Sequence, residues 1–177
     1  MCWSKVLLNS NSKWVIVATL VWVASVVLAL VFAYSQQAST FDPDKKLAAA
    51  NWLPTFQQSM ELGINNVDTL YIIDENTCVC SARSQPHISS LSSYAAEQGV
   101  KVIKLKPKSA VAAILPAQPA AVLVSANQQL VYAGPLSKGL ACSSQNGFVE
   151  LVIANLRAGF NSRFINSDAE GCYCEIN

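Results

Sequence analysis

Six cysteines stand in this chain of 177 residues, and four of them form two Cys-x-Cys pairs, Cys78-Val79-Cys80 and Cys172-Tyr173-Cys174. Sulfur at this spacing suits three chemistries. As thiolates the cysteines are nucleophiles for disulfide exchange. As a cluster of thiolates they hold a soft ion, Cu(I) or Zn. As disulfides they staple distant segments. A bond inside one pair is geometrically poor. In a helix residues i and i+2 face different ways, and in a strand they stand about 6–7 Å apart along one face. A relaxed disulfide needs a Cβ separation of about 3.8 Å. A Cys78–Cys80 bond therefore demands a special turn and is a strained, oxidising one.

Cys78 follows an apolar run, DTLYIID at 68–74, and opens a helical stretch. A helix N-terminus favours the thiolate, and Arg83 is near along the chain to assist. Cys78 is thus the candidate attacking sulfur, with Cys80 or Cys142 to resolve the mixed disulfide. The competing reading is a stable staple from Cys78 or Cys80 to Cys142, Cys172 or Cys174. Cys142 lies in the loop GPLSKGLAC. A natural scheme joins it to one tail cysteine and leaves the other tail thiol facing Cys78 or Cys80. Two bonds among the five cysteines from Cys78 onward allow fifteen schemes, five choices of the odd cysteine with three connectivities each, and the sequence does not choose. His87, the one histidine, falls two helical turns after Cys80 and shares its face. It reads either as a surface or capping residue or as a ligand to Cu or Zn beside Cys78 and Cys80. The Cys–His spacing is not that of a zinc finger, and the redox reading requires no cofactor.

These residues need a scaffold. Trp14 to Tyr34 is a 21-residue run without charge, Pro or Gly, and about 20 apolar residues cross a bilayer as a helix. Lys5 and Lys13 precede it without an acid, while Asp42, Asp44, Lys45 and Lys46 after it cancel. The positive-inside rule puts the N-terminus in the cytoplasm and the remainder outside. A cleaved signal peptide has an apolar core of about 7–15 residues and a small-x-small site; this run is longer, and Ala33-Tyr34-Ser35 fits poorly. The division expected is a cytoplasmic tail (1–13), a transmembrane helix (14–34), a linker and helix (35–66), an α/β domain (67–161) and a cysteine-containing tail (162–177). Asp42-Pro43 starts a helix over 43–62, capped by the aspartate, either continuous or broken at Pro54, and stopped by Gly63. Then come strand 68–74, helix 81–98, strand 100–105, one or two helical turns at 109–115, strands 119–125 and 129–134 around Ala126-Asn127-Gln128, and helix 147–160. The last helix carries Phe148, Leu151, Val152 and Leu156 on one side. Short links between the first two strands and their helix predict a right-handed βαβ unit with parallel strands. Lys101, Lys104, Lys106 and Lys108 mark a solvated edge or a contact with anionic lipid.

The order βαβ-ββα, with cysteines at the mouth of the first helix, resembles the thioredoxin fold over about residues 67–160. Pro86 stands eight residues after Cys78, where thioredoxins carry a helix-kinking proline, and Gln118-Pro119 opens the next strand, where they carry a cis-proline facing the active cysteine. The departure is Cys78-Val79-Cys80 in place of Cys-x-x-Cys, with Ser81 at the usual resolving position. The whole pattern also looks like a family of single-span, thioredoxin-like bacterial envelope proteins, which implies no particular activity. The likeness to thioredoxins, behind an apolar span, implies a membrane-anchored, periplasm-facing thiol-disulfide oxidoreductase or redox partner of the bacterial inner membrane, with Pro119 shaping the substrate groove. Its partners are then a protein thiol or disulfide and a membrane electron donor. The other expectations are a thiolate-based copper or zinc carrier and a non-catalytic, disulfide-stapled interaction module. A net charge of +1 with only 13% charged residues leaves no electrostatic footprint for nucleic acid.

Overall fold

The computed structural model describes residues 10–75, 78–139 and 147–176, so Cys2 and Cys142 lie outside the described residues. The apolar run folds as one helix, α1 (Ser10–Gln37), longer at both ends than the run itself. Its stretch Lys13–Ala33 is long and apolar enough to cross a membrane. Its Trp14, Leu20, Trp22, Leu28 and Phe32 are exposed, unlike the side chains of a core helix. The Thr19 hydroxyl donates to the Val15 carbonyl at 2.9 Å and the Ser25 hydroxyl to Trp22 at 2.7 Å, so neither group goes unpaired in the apolar stretch.

Residues 38–177 make a second unit. Its main sheet comprises β2 (Thr69–Ile73), β3 (Lys101–Leu105), β5 (Ala120–Val124), β6 (Leu130–Pro135) and β7 (Phe164–Ile165), in the order β3-β2-β5-β6-β7. β2 and β3 are parallel, as are β6 and β7; β5 is antiparallel to both β2 and β6. The β5–β6 turn has the expected three-residue tip: Ser125 and Gln129 bond across it at 2.9 Å, and Gln128 takes a left-handed φ of 59°. β2 is buried on both faces, and alternation sends its side chains into two cores. Leu70 and Ile72 pack with α3 (Val79–Glu97) and α4 (Phe148–Arg157) through Ile88, Leu91, Val149 and Val152. Tyr71 and Ile73 pack on the other face with α2 (Trp52–Ser59) through Trp52 and Phe56. Lys101 and Lys104 stand exposed on edge strand β3, where charge discourages pairing with another chain.

Four sequence expectations change. The single helix over 43–62 is instead a 3-10 turn at Lys46–Ala48 followed by α2. Asp42 still caps, accepting from the N–H groups of Lys46 at 2.8 Å and Leu47 at 2.9 Å, but the turn it caps is not continued. The linker and the tail are structured: β1 (Ser39–Thr40) pairs with β8 (Glu170–Gly171), and β4 (Ala117–Gln118) with β9 (Cys174–Glu175). Two-residue strands carry no alternation to read, so their partners appear only in three dimensions. On α4 the buried stripe is Val149, Val152 and Ile153, and Leu151 points to solvent at 62% exposure.

Asp42 is fully buried and also accepts the Ser167 hydroxyl at 3.2 Å, joining the entry and exit segments of the domain. Asp42→Ala strands two N–H donors and should cost about 2 kcal/mol in chemical denaturation of the full chain in detergent. Asp42→Asn keeps one acceptor oxygen and should recover part of the loss. Tyr132 is also fully buried, its hydroxyl donating to the Pro135 carbonyl. Burial pushes its phenol well above the ordinary value, outweighing the lowering influence of the nearby Asn166. Below pH ~10 both folded and unfolded Tyr132 hold the proton; above it only the folded chain does. Folding stability should therefore fall as pH rises beyond about 10, and Tyr132→Phe should flatten that fall in denaturation curves taken between pH 9 and 11.

Candidate functional site

The end of β2 and the start of α3 set the first sulfur. Cys78 is the N-cap of α3, with extended φ −126° and ψ 159°, and its Sγ accepts the Ser81 backbone N–H at 3.4 Å. The buried Ser81 hydroxyl lies at the same distance. Cys80 falls in the first helical turn and is turned inward, while Val79 between them is 64% exposed.

The C-terminal segment supplies the other two sulfurs. Cys78 is bonded to Cys174 and Cys80 to Cys172, with Cα–Cα separations of 6.6 and 5.3 Å. The later cysteine of each pair bonds the earlier one of the other, so the two Cys-x-Cys segments run antiparallel. The inner bond, Cys80–Cys172, is buried; the outer bond, Cys78–Cys174, is half-buried. The sulfurs of Cys78, Cys80 and Cys174 all lie within 4.8 Å of one another. Gly171 makes this approach possible: a Cβ there would stand 2.7 Å from the Tyr173 hydroxyl and 3.0 Å from the Gly139 carbonyl. Tyr173 is held by donation to the Ser137 carbonyl at 2.9 Å and by an edge contact with Phe41.

Pro119 lies beside this cluster. The Gln118–Pro119 bond is cis, and β4 sets Gln118 opposite Cys174 in the β4–β9 ladder. The Gln118 side-chain carbonyl accepts the Glu75 N–H at 2.8 Å, tying the cis segment to the chain leaving β2. At that same exit Asp74 accepts from the Gln85 amide at 2.6 Å. The sequence marks Ser81 only by its place at the usual resolving position and Gln118 only as the neighbour of Pro119; it gives no signal for the parts Tyr173 and Gly171 play.

Cys78, Cys80, Cys172 and Cys174 are thus brought together, with Pro119 next to them. The scheme joining Cys142 to a tail cysteine is not the one adopted, because both tail cysteines bond the first pair; Cys142 itself lies outside the described residues. His87 is neither a surface residue nor grouped with the thiolates. It is 3% exposed, and its Nε2 lies 2.7 Å from Glu150 Oε1 on α4. Sharing a helix face with Cys80 does not bring it to the sulfur, because seven residues carry it about 10 Å along the axis, to where α4 packs. Its Nδ1 and Glu150 Oε2 are buried without partners among the described residues.

Fold and site define a mixed α/β domain with a doubly bridged cysteine cluster, preceded by one apolar helix of membrane-spanning length. The chain belongs to the family described as a domain of unknown function (DUF6436), whose model matches residues 48–176. No curated protein and no solved structure matches it.

Proposed function

We propose that this protein is a thiol-disulfide exchange protein with a thioredoxin-like domain, anchored by α1 in a bacterial inner membrane and facing the periplasm. The observation that carries this reading is the half-buried Cys78–Cys174 bond at the N-terminus of α3, beside the cis Gln118–Pro119 segment. The order β3-β2-β5-β6, with α3 and α4 on one face, supports the fold assignment. Two long-range disulfides support an oxidising compartment.

In the reducing direction, the Cys78 thiolate attacks one sulfur of a partner's disulfide. A Cys78–partner bond forms, and the partner's second sulfur leaves as a thiolate. The Cys174 thiolate then attacks Cys78 Sγ, re-forms Cys78–Cys174 and releases the partner's first sulfur. The partner gains two electrons, and the Cys78/Cys174 dithiol loses them. A membrane dithiol donor must restore that dithiol, because a single span carries no electrons across. The helix N-terminus favours the Cys78 thiolate and the Ser81 N–H supports it. The resolving sulfur is therefore Cys174, in place of Cys80 or Cys142.

The test is stepwise reduction of the full chain in detergent with a dithiol of known potential, alkylation and mapping by mass spectrometry. Cys78 and Cys174 should label first and the reduced protein should reduce a protein disulfide. If both bonds resist reduction until the chain unfolds, the stapled interaction module replaces this reading.

A second reading rests on the three sulfurs within 4.8 Å. Soft thiolates in this number fit Cu(I) or Zn, and thiolates rather than disulfide sulfurs bind metal. Only the reduced chain would bind, through Cys78, Cys80 and Cys174, and His87 leaves the ligand set because it faces Glu150. Titration of reduced protein with Zn should show weakened binding in Cys174→Ser and unchanged binding in His87→Ala.

A further inference from the structure

We infer that the four sulfurs form one relay. In the half-reduced chain the single remaining disulfide migrates between Cys80–Cys172 and Cys78–Cys174, so that Cys80 and Cys172 are a buried store for the two electrons that Cys78 delivers. The inference rests on the exchange reading above and adds to it a second, internal redox couple.

The four cysteines pack against one another in a cluster of their own, apart from both apolar cores. Exchange among them therefore leaves the core packing in place. Cys80 is the inner-bond sulfur that lies within 4.8 Å of both Cys78 and Cys174. Opening the outer bond thus sets two thiolates beside a disulfide sulfur, which is the arrangement that exchange requires. The chain around the sulfurs keeps its register without help from the bond that moves. Gln118 pairs with Cys174, the Gly139 N–H donates to the Glu170 carbonyl at 2.8 Å, and Tyr173, between the tail cysteines, is tied to Ser137.

Either thiolate faces Cys80, but the products differ. Attack by Cys78 makes a bond within one Cys-x-Cys segment, where the geometry is poor. Attack by Cys174 bridges the two segments. The Cys174 thiolate attacks Cys80 Sγ, the Cys80–Cys174 bond forms, and Cys172 leaves as a thiolate. The Cys78 thiolate then attacks Cys174 Sγ, re-forms Cys78–Cys174 and releases the Cys80 thiolate. One disulfide persists at every stage, so no electrons enter or leave and the two segments stay joined. The dithiol now sits on Cys80 and Cys172, which are 8% and 4% exposed and out of reach of a partner protein. The reverse steps return it to Cys78 and Cys174. The helix N-terminus favours the isomer with a Cys78 thiolate about two- to fivefold, so the delivering isomer is the more populated.

The test uses the full chain in detergent, with Cys2→Ser and Cys142→Ser so that no other thiol takes part. One equivalent of tris(2-carboxyethyl)phosphine opens one bond per molecule. Once the phosphine is consumed, samples are quenched in acid, alkylated in denaturant and mapped by mass spectrometry. Label should start on Cys78 and Cys174 and spread to Cys80 and Cys172 at a rate independent of protein concentration, until label on Cys78 exceeds that on Cys80 about two- to fivefold. Without any reductant, Cys172→Ser, which stops the relay halfway, should contain both Cys78–Cys174 and Cys80–Cys174. Cys174→Ser, which blocks it, should contain Cys80–Cys172 alone. Label confined to Cys78 and Cys174 at all times, in a chain that still reduces a protein disulfide, overturns the relay and leaves the exchange reading standing. Spreading that quickens with protein concentration does the same, because the exchange is then between molecules. A half-reduced chain that reduces no protein disulfide overturns both.

Discussion

Cys78→Ser is expected to abolish disulfide exchange, a loss of about three orders of magnitude or more, since a serine hydroxyl cannot replace the attacking thiolate. The companion variants separate the roles of the other sulfurs. In Cys174→Ser the attack proceeds but resolution does not: Cys80 is held by Cys172 and has no thiolate to offer. The mixed disulfide should then accumulate, and turnover should fall while single-turnover attack stays fast. Cys142→Ser, which tests the resolver suggested by sequence, should change turnover little. Acid-quenched reactions with a fluorogenic disulfide peptide, followed by intact-mass analysis, read all three variants. Fast resolution in Cys174→Ser and slow resolution in Cys142→Ser would reverse the assignment.

Removing the disulfides is expected to cost far more together than either costs alone. The bonds are nested, joining residues 96 and 92 positions apart. Closing the first such loop stabilises the chain by about 4.7 kcal/mol through the entropy of the unfolded state. With either bond in place, the other closes only the small ring through residues 78–80 and 172–174, worth about 2 kcal/mol on the same relation. Cys78→Ala/Cys174→Ala and Cys80→Ala/Cys172→Ala should each lose about 2 kcal/mol, and the quadruple variant about 7 kcal/mol. Denaturation of the full chain in detergent measures the coupling. If the two pairwise losses add up to that of the quadruple variant, the bonds act independently and the nested account is wrong. Because the inner bond holds the large loop closed, the outer one can open in the proposed exchange cycle without unfolding the domain.

The apolar stretch of α1, the βαβ-ββα order and the three-residue tip between β5 and β6 were all legible in the sequence. Each depends on a signal held within a few residues: a long run without charge, an alternation of apolar side chains, or polar residues between two apolar runs. The place of Cys78 at a helix mouth and of Pro119 at the opening of a strand belong with them. The cysteine pairing was not legible, because fifteen schemes satisfy the same composition. It depends on Gly171 letting the Tyr173 ring approach and on a two-residue ladder at Gln118 and Cys174. His87 shows the same division. Helical spacing correctly put it on the face of Cys80, but its partner Glu150 is 63 residues away and is brought in by the packing of α3 against α4. Local sequence determined which elements form and where the sulfurs enter them. Tertiary structure decided which sulfurs meet, because that depends on contacts between segments nearly a hundred residues apart, which no local preference encodes.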